Sequence, residues 1–272
     1  MRNILKSIPI LLILLIVFLI YKQVLFFDYL WDDDLLIVDN VDLINSKLSW
    51  DIISRPVLQG SSYFRPLVFL SWFTEFKFFG QSSSISHLIN LMIFLCNISL
   101  VYWLAYLLGK AKQKTNLILL ATVCAGLYAI HPIHVETTAW VSGRFDLMAT
   151  LFTLLACVLF ISQWLKNQSS LLMNLLIGLC YFCALMSKEL GLIAPILIFI
   201  LYLAISSDCF KANFISFFKQ HYSLIGFVGM FFIIYYILRV YSMKETYHYP
   251  FTWEYYKTII VEQQIPLYAF KQ

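Results

Sequence analysis

The chain has 272 residues, of which 61% are hydrophobic, 18% aromatic and only 12% charged, with a formal net charge of +4 at pH 7. Soluble domains carry roughly 45–50% apolar residues, so this composition excludes an ordinary soluble fold and points to an integral membrane protein whose partner is the lipid bilayer. The basic residues form no aromatic-interleaved face, so nucleic acid is excluded as a partner. No internal repeat or Pro/Gly/Ser-rich linker divides the chain, and residues 1–272 read as a single membrane domain.

A bilayer core about 30 Å thick needs roughly 20 helical residues to cross it. The first apolar run, 8–21, reaches that length when Lys6 and Lys22 snorkel outward and 4–27 forms one helix. No small-residue cleavage site follows it, so it reads as an uncleaved span and not as a signal peptide. A long loop, 28–85, comes next and opens on FDYLWDDDLLIVDN (27–40). Inside it PLVFLSWFTEFKFFG (66–80), interrupted by Glu75 and Lys77, predicts a helix lying at the interface or re-entering the membrane. Spans then follow at 87–108, 117–130, 147–165, 171–186, 190–205 and 222–241. With the first run this makes an all-α, polytopic bundle of about seven transmembrane helices. The tail 252–270 reads as an amphipathic helix leading toward a further span.

The basic residues orient the bundle. A cytoplasmic N-terminus puts Arg2, Lys6, Lys110, Lys112, Lys114, Lys166, Lys211 and Lys219 on the cytoplasmic side with a single acid, Asp208. The polar segments HPIHVE (131–136), SGRFD (142–146) and SKE (187–189) then fall with Asp32–Asp34 on the opposite, periplasmic, extracellular or lumenal face, and loop 28–85 is non-cytoplasmic. Ionisable groups at a membrane edge are expensive and mark function. Cys96, Cys124, Cys157, Cys180 and Cys183 fall inside spans and Cys209 on the cytoplasmic side, so no outward disulfide framework exists. The C-x-x-C at 180–183 reads as two small buried residues one turn apart.

Each cluster has a chemistry and a plainer reading. Asp32, Asp33 and Asp34 cap the chain as it leaves the membrane, or they supply a general base with a second carboxylate that raises its pKa or holds a cation. Oxygen ligands of this kind suit Mg²⁺ or Mn²⁺, although no cofactor is required by the sequence. His131, His134 and Glu136 lack both a third strong ligand and the H-E-x-x-H order of a zinc protease, and suit polar contacts to a hydroxyl-rich substrate. Arg144 and Lys188 are natural partners for phosphate, or they pair with Asp146 and Glu189. Tyr63 and Arg65 serve the same phosphate or set their loop. Carboxylates, cations and aromatics on one membrane face point to a phosphorylated lipid and a polar acceptor. A transporter, the rival from another class, would gather its charges near the midplane instead of at one edge.

W-D-D (31–33), I-V-D-N (37–40), Y-F-R-P (63–66), H-L-I-N (87–90), H-P-I-H-V-E-T-T-A-W-V-S-G-R (131–144) and L-M-S-K-E (185–189) occur in that order across roughly residues 25–200. Together they resemble the membrane domain of the transmembrane and tetratricopeptide-repeat O-mannosyltransferases and their bacterial relatives, which have the GT-C glycosyltransferase fold. The resemblance implies an enzyme that moves a sugar, mannose in that family, from a polyprenyl-phosphate-linked donor to a hydroxyl of a protein or glycolipid acceptor. By position Asp32 and Asp33 match the acidic pair that opens the first outward loop of such enzymes, and Asp34 is an addition. One of the pair would deprotonate the acceptor hydroxyl for an inverting displacement. Arg144, Lys188 and Arg65 would stabilise the phosphate, and His131, His134, Glu136, Tyr63 and Glu189 would hold substrate. The family's further spans and helical-repeat domain find no counterpart in 1–272, which leaves a partial or inactive homologue, or a non-enzymatic assembly partner, as the alternative.

Overall fold

Backbone polar groups in a lipid-facing segment can be satisfied only within the segment, and every regular element in the computed structural model is helical among the described residues, 2–45, 48–57, 63–167, 169–206 and 210–243. Helix α1 (Arg2–Tyr21) tightens into a 3₁₀ turn at Lys22–Phe26. The long loop holds a π-helical turn at Asp34–Val38, the short helices α2 (Val41–Asn45) and α3 (Trp50–Ser54), and α4 (Pro66–Phe79). The bundle continues with α5 (Ser83–Ala111), α6 (Leu117–Ala129), α7 (Ile133–Ala139), α8 (Arg144–Leu165), α9 (Leu171–Ser187), α10 (Ala194–Ile205), α11 (Phe210–Gln220) and α12 (Tyr222–Met243), with 3₁₀ turns at Val141–Gly143 and Glu189–Ile193.

All seven predicted apolar runs are helical, but they are not equally long. Among the described residues four helices reach spanning length and hydropathy: Ser7–Phe26, Ser83–Ala111, Val141–Leu165 and Tyr222–Met243. Helix α6 has 13 residues and bends by 65° into α7, the geometry of a broken span or a re-entrant loop. The bend falls at His131–Pro132, where proline removes an N–H and pushes the preceding residue out of the helical region. Leu171–Ser187 and Glu189–Ile205 are apolar but shorter.

Helix α4 starts with Pro66, whose fixed φ suits a first turn, and stops at Gly80, which takes a φ of +72°. It buries Val68, Phe69, Trp72, Phe73 and Glu75 against the loop core and the start of α8. The expected interfacial helix is therefore an inner element of the site, with Trp72 packed edge-on to Phe145 at 5.3 Å.

Lipid is as apolar as leucine, so helices in a membrane associate through close packing and interhelical hydrogen bonds, about 0.6–2 kcal/mol each. Asn97 of α5 donates to the Leu147 carbonyl of α8 at 3.0 Å. Gln163 of α8, Asn174 of α9 and Ser223 of α12 form a chain of 2.8 and 2.7 Å bonds near the other end of the bundle. That end carries the α5–α6 turn with Lys110, Lys112 and Lys114, as well as Lys166. The described parts of loop 28–82, α7, the 141–143 turn and the 189–193 turn share the opposite end. Residues 252–270, Asp208 and Cys209 lie outside the described residues. The five described cysteines are free thiols.

Candidate functional site

The site begins with a backbone constraint. Trp31 adopts a φ of +53°, a left-handed conformation that costs an L-residue on the order of 1–3 kcal/mol. Its indole lies edge-on to Trp140, 5.6 Å away, across the seam between the loop and the α7–α8 connection. The turn sends the next two carboxylates in opposite directions.

Asp33 points inward and is fully buried. Its Oδ1 accepts from the Ser142 amide at 2.8 Å and the Ser142 hydroxyl at 2.5 Å; its Oδ2 accepts from Val141 N at 3.2 Å and Leu30 N at 3.1 Å. Four donors saturate it, so Asp33 pins the loop onto the 141–143 turn. Asp32 points outward and stays exposed, and its Oδ1 accepts from the indole N–H of Trp140 at 3.1 Å. Partial burial, and then the neighbouring Asp33 charge, push its carboxyl above the ordinary carboxylate range, while the Trp140 bond pulls it back down. Of the two predicted catalytic aspartates, only Asp32 has its carboxylate open to a reactant. Asp34 starts the π-helical turn, which closes through Asp39 N to Asp34 O at 2.8 Å, and is exposed.

The remaining motifs hold this geometry. Asn40, the last residue of I-V-D-N, accepts from the amides of Asp42 and Leu43 at the start of α2. His87 Nε2 lies 3.4 Å from the Asp28 carbonyl, on the flank that precedes the aspartates. Asn90, in the same H-L-I-N, donates to the carbonyls of Trp140 and Val141 at 3.2 and 3.0 Å. One turn of α5 thus grips both strands of the seam. Gly143 is required by contact: a Cβ there would lie 2.5 Å from the Thr137 carbonyl oxygen.

Arg144 is not an open phosphate ligand. It is fully enclosed, with Nε donating to Asn90 at 2.7 Å, Nη1 to Glu75 at 2.6 Å and Nη2 to the Ser86 carbonyl at 3.0 Å. The Ser86 hydroxyl donates in turn to Glu75. All three guanidinium nitrogens are occupied by protein oxygens, and a buried cation needs them all. Lys188 is committed as well, with both Asp146 oxygens at 2.7 and 2.8 Å, though this pair is only half-buried.

Arg65 lies over the rings of Tyr63 and Phe145, 4.6 and 4.2 Å from their centroids, and 3.5 Å from Glu189. Glu189 also meets Arg239 of α12 at 3.1 Å. On α7 the His134 ring packs against Tyr128 and Phe94, at 4.3 and 5.1 Å, while His131 and Glu136 are exposed beside it. Among the described residues no three of His, Cys, Asp or Glu come together to hold a metal ion, and Asp33 has spent its oxygens on the 141–143 turn and Leu30. The site residues that sequence reasoning missed are Trp140, Ser142, Asn90, Glu75 and Arg239. Glu75 and Arg239 carried a signal, since a lone charge in an apolar helix demands a partner.

Comparison with known proteins agrees with the resemblance carried by the motifs. No family model and no solved structure matches the chain. It is 27% identical over 188 residues to the protein O-mannosyl-transferase Tmtc1 of Drosophila melanogaster, an alignment covering 66% of this chain and 21% of that protein. A Caenorhabditis elegans protein O-mannosyl-transferase is 30% identical over 197 residues, covering 69% of this chain and 27% of its own length. Mouse protein O-mannosyl-transferase TMTC1 is 30% identical over 200 residues, covering 64% and 20%. The alignments thus span between a fifth and just over a quarter of these relatives' lengths. Over about two-thirds of its residues the chain is a homologue of the protein O-mannosyl-transferases.

Proposed function

We propose that this chain is the sugar-transferring membrane part of a glycosyltransferase that moves mannose from a polyprenyl-phosphate carrier to a Ser or Thr hydroxyl of a protein on the non-cytoplasmic side of the membrane. The observation that carries this reading is the division of labour between Asp32 and Asp33. One carboxylate is exposed at the bundle end and inclined to hold a proton; its neighbour is saturated and fixes the first in place. That is the arrangement a general base requires. The names of the relatives supply the mannose and the protein acceptor.

In the proposed reaction the acceptor oxygen attacks the anomeric carbon as its proton passes to Asp32. The bond from that carbon to the phosphate oxygen breaks, the configuration inverts, and the electron pair leaves on the phosphate. The leaving group needs no protonation if cations receive its growing charge. Asp33, Ser142 and Trp140 are positioning residues that set the direction of the Asp32 carboxylate. His131, exposed in the break before α7, and Glu136, exposed on α7, are suited to the hydroxyls of sugar or acceptor.

The test is transfer from radiolabelled polyprenyl-phosphate-mannose to an acceptor peptide by the purified chain in nanodiscs. Asp32→Asn should lower the rate by about 10²–10⁴-fold, the usual contribution of a general base, while leaving the protein folded. Full transfer by Asp32→Asn would overturn the assignment.

A further inference from the structure

Charge is divided unevenly between the two ends of the bundle. Every acidic residue among the described residues lies at the site end: in loop 28–82, on α7, in the first turn of α8 or in the 189–193 turn. The opposite end holds Lys110, Lys112, Lys114, Lys166 and Lys219, with no acidic residue among the described residues there. A surface of one sign of charge attracts a partner of the other. The chemistry of that partner is narrowed by what α11 and its neighbours build at this end.

Helix α11 is amphipathic. At about 100° per residue, Phe214, Ile215, Phe217 and Phe218 fall on one arc. Ser216, Lys219 and Gln220 fall on the other, where the Gln220 amide donates to the Ser216 hydroxyl at 2.8 Å. Phe217 is buried and anchors the helix, its ring 5.1 Å from those of Phe199 and Tyr202 on α10. Phe214 and Phe218 stay exposed. They help to line a half-open cavity of about 290 Å³ between α10, α11 and α12, together with Ile196, Phe199, Ile225 and Val228. Every residue around it is apolar. Ile196 and Ile200 of α10 are exposed, so the flank beside the cavity is apolar too.

We propose that this cavity takes one acyl chain of an anionic phospholipid whose head group lies at Lys219, the residue after the cavity-lining Phe218. An apolar slot alone would accept any chain, and a basic end alone would accept any anion. A ligand that satisfies both is an amphiphile with an anionic head. Amphipathic helices with lysine on the polar face and phenylalanine on the other lie in the membrane surface and bind anionic lipid through both features. This lipid is distinct from the mannosyl donor of the proposed reaction. It binds at the end of the bundle opposite Asp32 and supplies no reacting atom. Its chain fills the space that α10, α11 and α12 leave open, and so holds α11 in place.

The experiment places the full chain in phosphatidylcholine nanodiscs with a trace of phosphatidylglycerol that carries a photoreactive group at the end of one acyl chain. A matched phosphatidylcholine probe is the control. Irradiation and peptide mapping should place the phosphatidylglycerol label mainly in 194–228 and above the phosphatidylcholine label. Unlabelled phosphatidylglycerol should compete better than phosphatidylcholine or oleic acid. Lys219→Gln should lower the anionic preference about fivefold, the share of one lysine beside a membrane surface, and Lys219→Arg should retain it. Lys114→Gln, on the α5–α6 turn, should leave the labelling of 194–228 unchanged. Ile196→Trp, at an exposed position of the cavity wall, should lower labelling by both probes at an unchanged unfolding temperature. Label spread evenly over the apolar flanks, equal labelling by the two probes, or oleic acid competing as well as phosphatidylglycerol would overturn the proposal. So would equal losses in Lys219→Gln and Lys114→Gln, which mark a diffuse surface potential, or dimers of the chain that shield 194–228 from both probes. Both leaflets of the disc hold the same lipids, so the result is independent of the chain's orientation and of transfer activity.

Discussion

Arg144 Nη1 and Glu75 Oε2 lie 2.6 Å apart in an ion pair from which solvent is excluded, joining the first turn of α8 to α4. Burying two charges costs several kcal/mol each, which is recovered only when their remaining donors and acceptors are filled, as Asn90 and Ser86 fill them here. Removing one partner leaves an uncompensated charge. Arg144→Leu or Glu75→Leu alone should therefore cost about 3–5 kcal/mol, and the double variant less than either. Thermal unfolding in detergent measures this, and single variants as stable as the parent protein would contradict it.

Asp33→Asn should behave unlike Asp32→Asn. An asparagine offers one acceptor where Asp33 uses two, and its amide would face backbone N–H groups. Each unmet donor costs about 1–3 kcal/mol, so Asp33→Asn should lower the unfolding temperature and lose transfer as a consequence. Asp32→Asn should lose transfer at unchanged stability. Measuring both quantities on both variants separates a positioning carboxylate from a reacting one.

The apolar runs were legible because a helix in lipid has one way to satisfy its backbone, and 61% apolar content leaves little else to build. Pairings among polar residues were not. Arg144 meets Glu75 across 69 positions, and Asp33 meets Ser142 across 109, separations that no local periodicity encodes. Arg144 carried the right alternatives in sequence, phosphate or ion pair, but its partner was neither Asp146 nor Glu189. The difference between Asp32 and Asp33 was also hidden, because it depends on the left-handed turn at Trp31, a residue type that gives no hint of that conformation.

Gly143→Ala tests the close approach of α7 to the 141–143 turn. The added Cβ would meet the Thr137 carbonyl oxygen at 2.5 Å and its Cα at 2.8 Å, and backbone cannot step aside as a flexible side chain can. Overpacking of this kind costs about 1–3 kcal/mol. The shift would move Val141 and Ser142 away from Asp33, so transfer should fall further than stability alone explains. Gly126→Ala, where a Cβ would meet no atom within 4 Å, is the control and should be near neutral.

The pH dependence of transfer follows from Asp32. Burial first, and the Asp33 charge second, raise its pKa above the ordinary aspartate range, and the Trp140 indole N–H lowers it by stabilising the ionised form. A general base must be deprotonated, so kcat/KM should rise with pH through that raised pKa. Trp140→Phe removes the larger of the two hydrogen bonds that favour ionisation, and the acid limb of its profile should move to higher pH. The stability linkage has the opposite sign. A raised folded-state pKa means the folded protein prefers the protonated carboxyl, so this contribution is present below the unfolded pKa and is lost as pH rises through the folded one. Activity therefore rises across the window in which this contribution to stability falls. Profiles of kcat/KM against pH for the parent protein and Trp140→Phe decide the matter, and coincident acid limbs would remove Trp140 from any role in tuning Asp32.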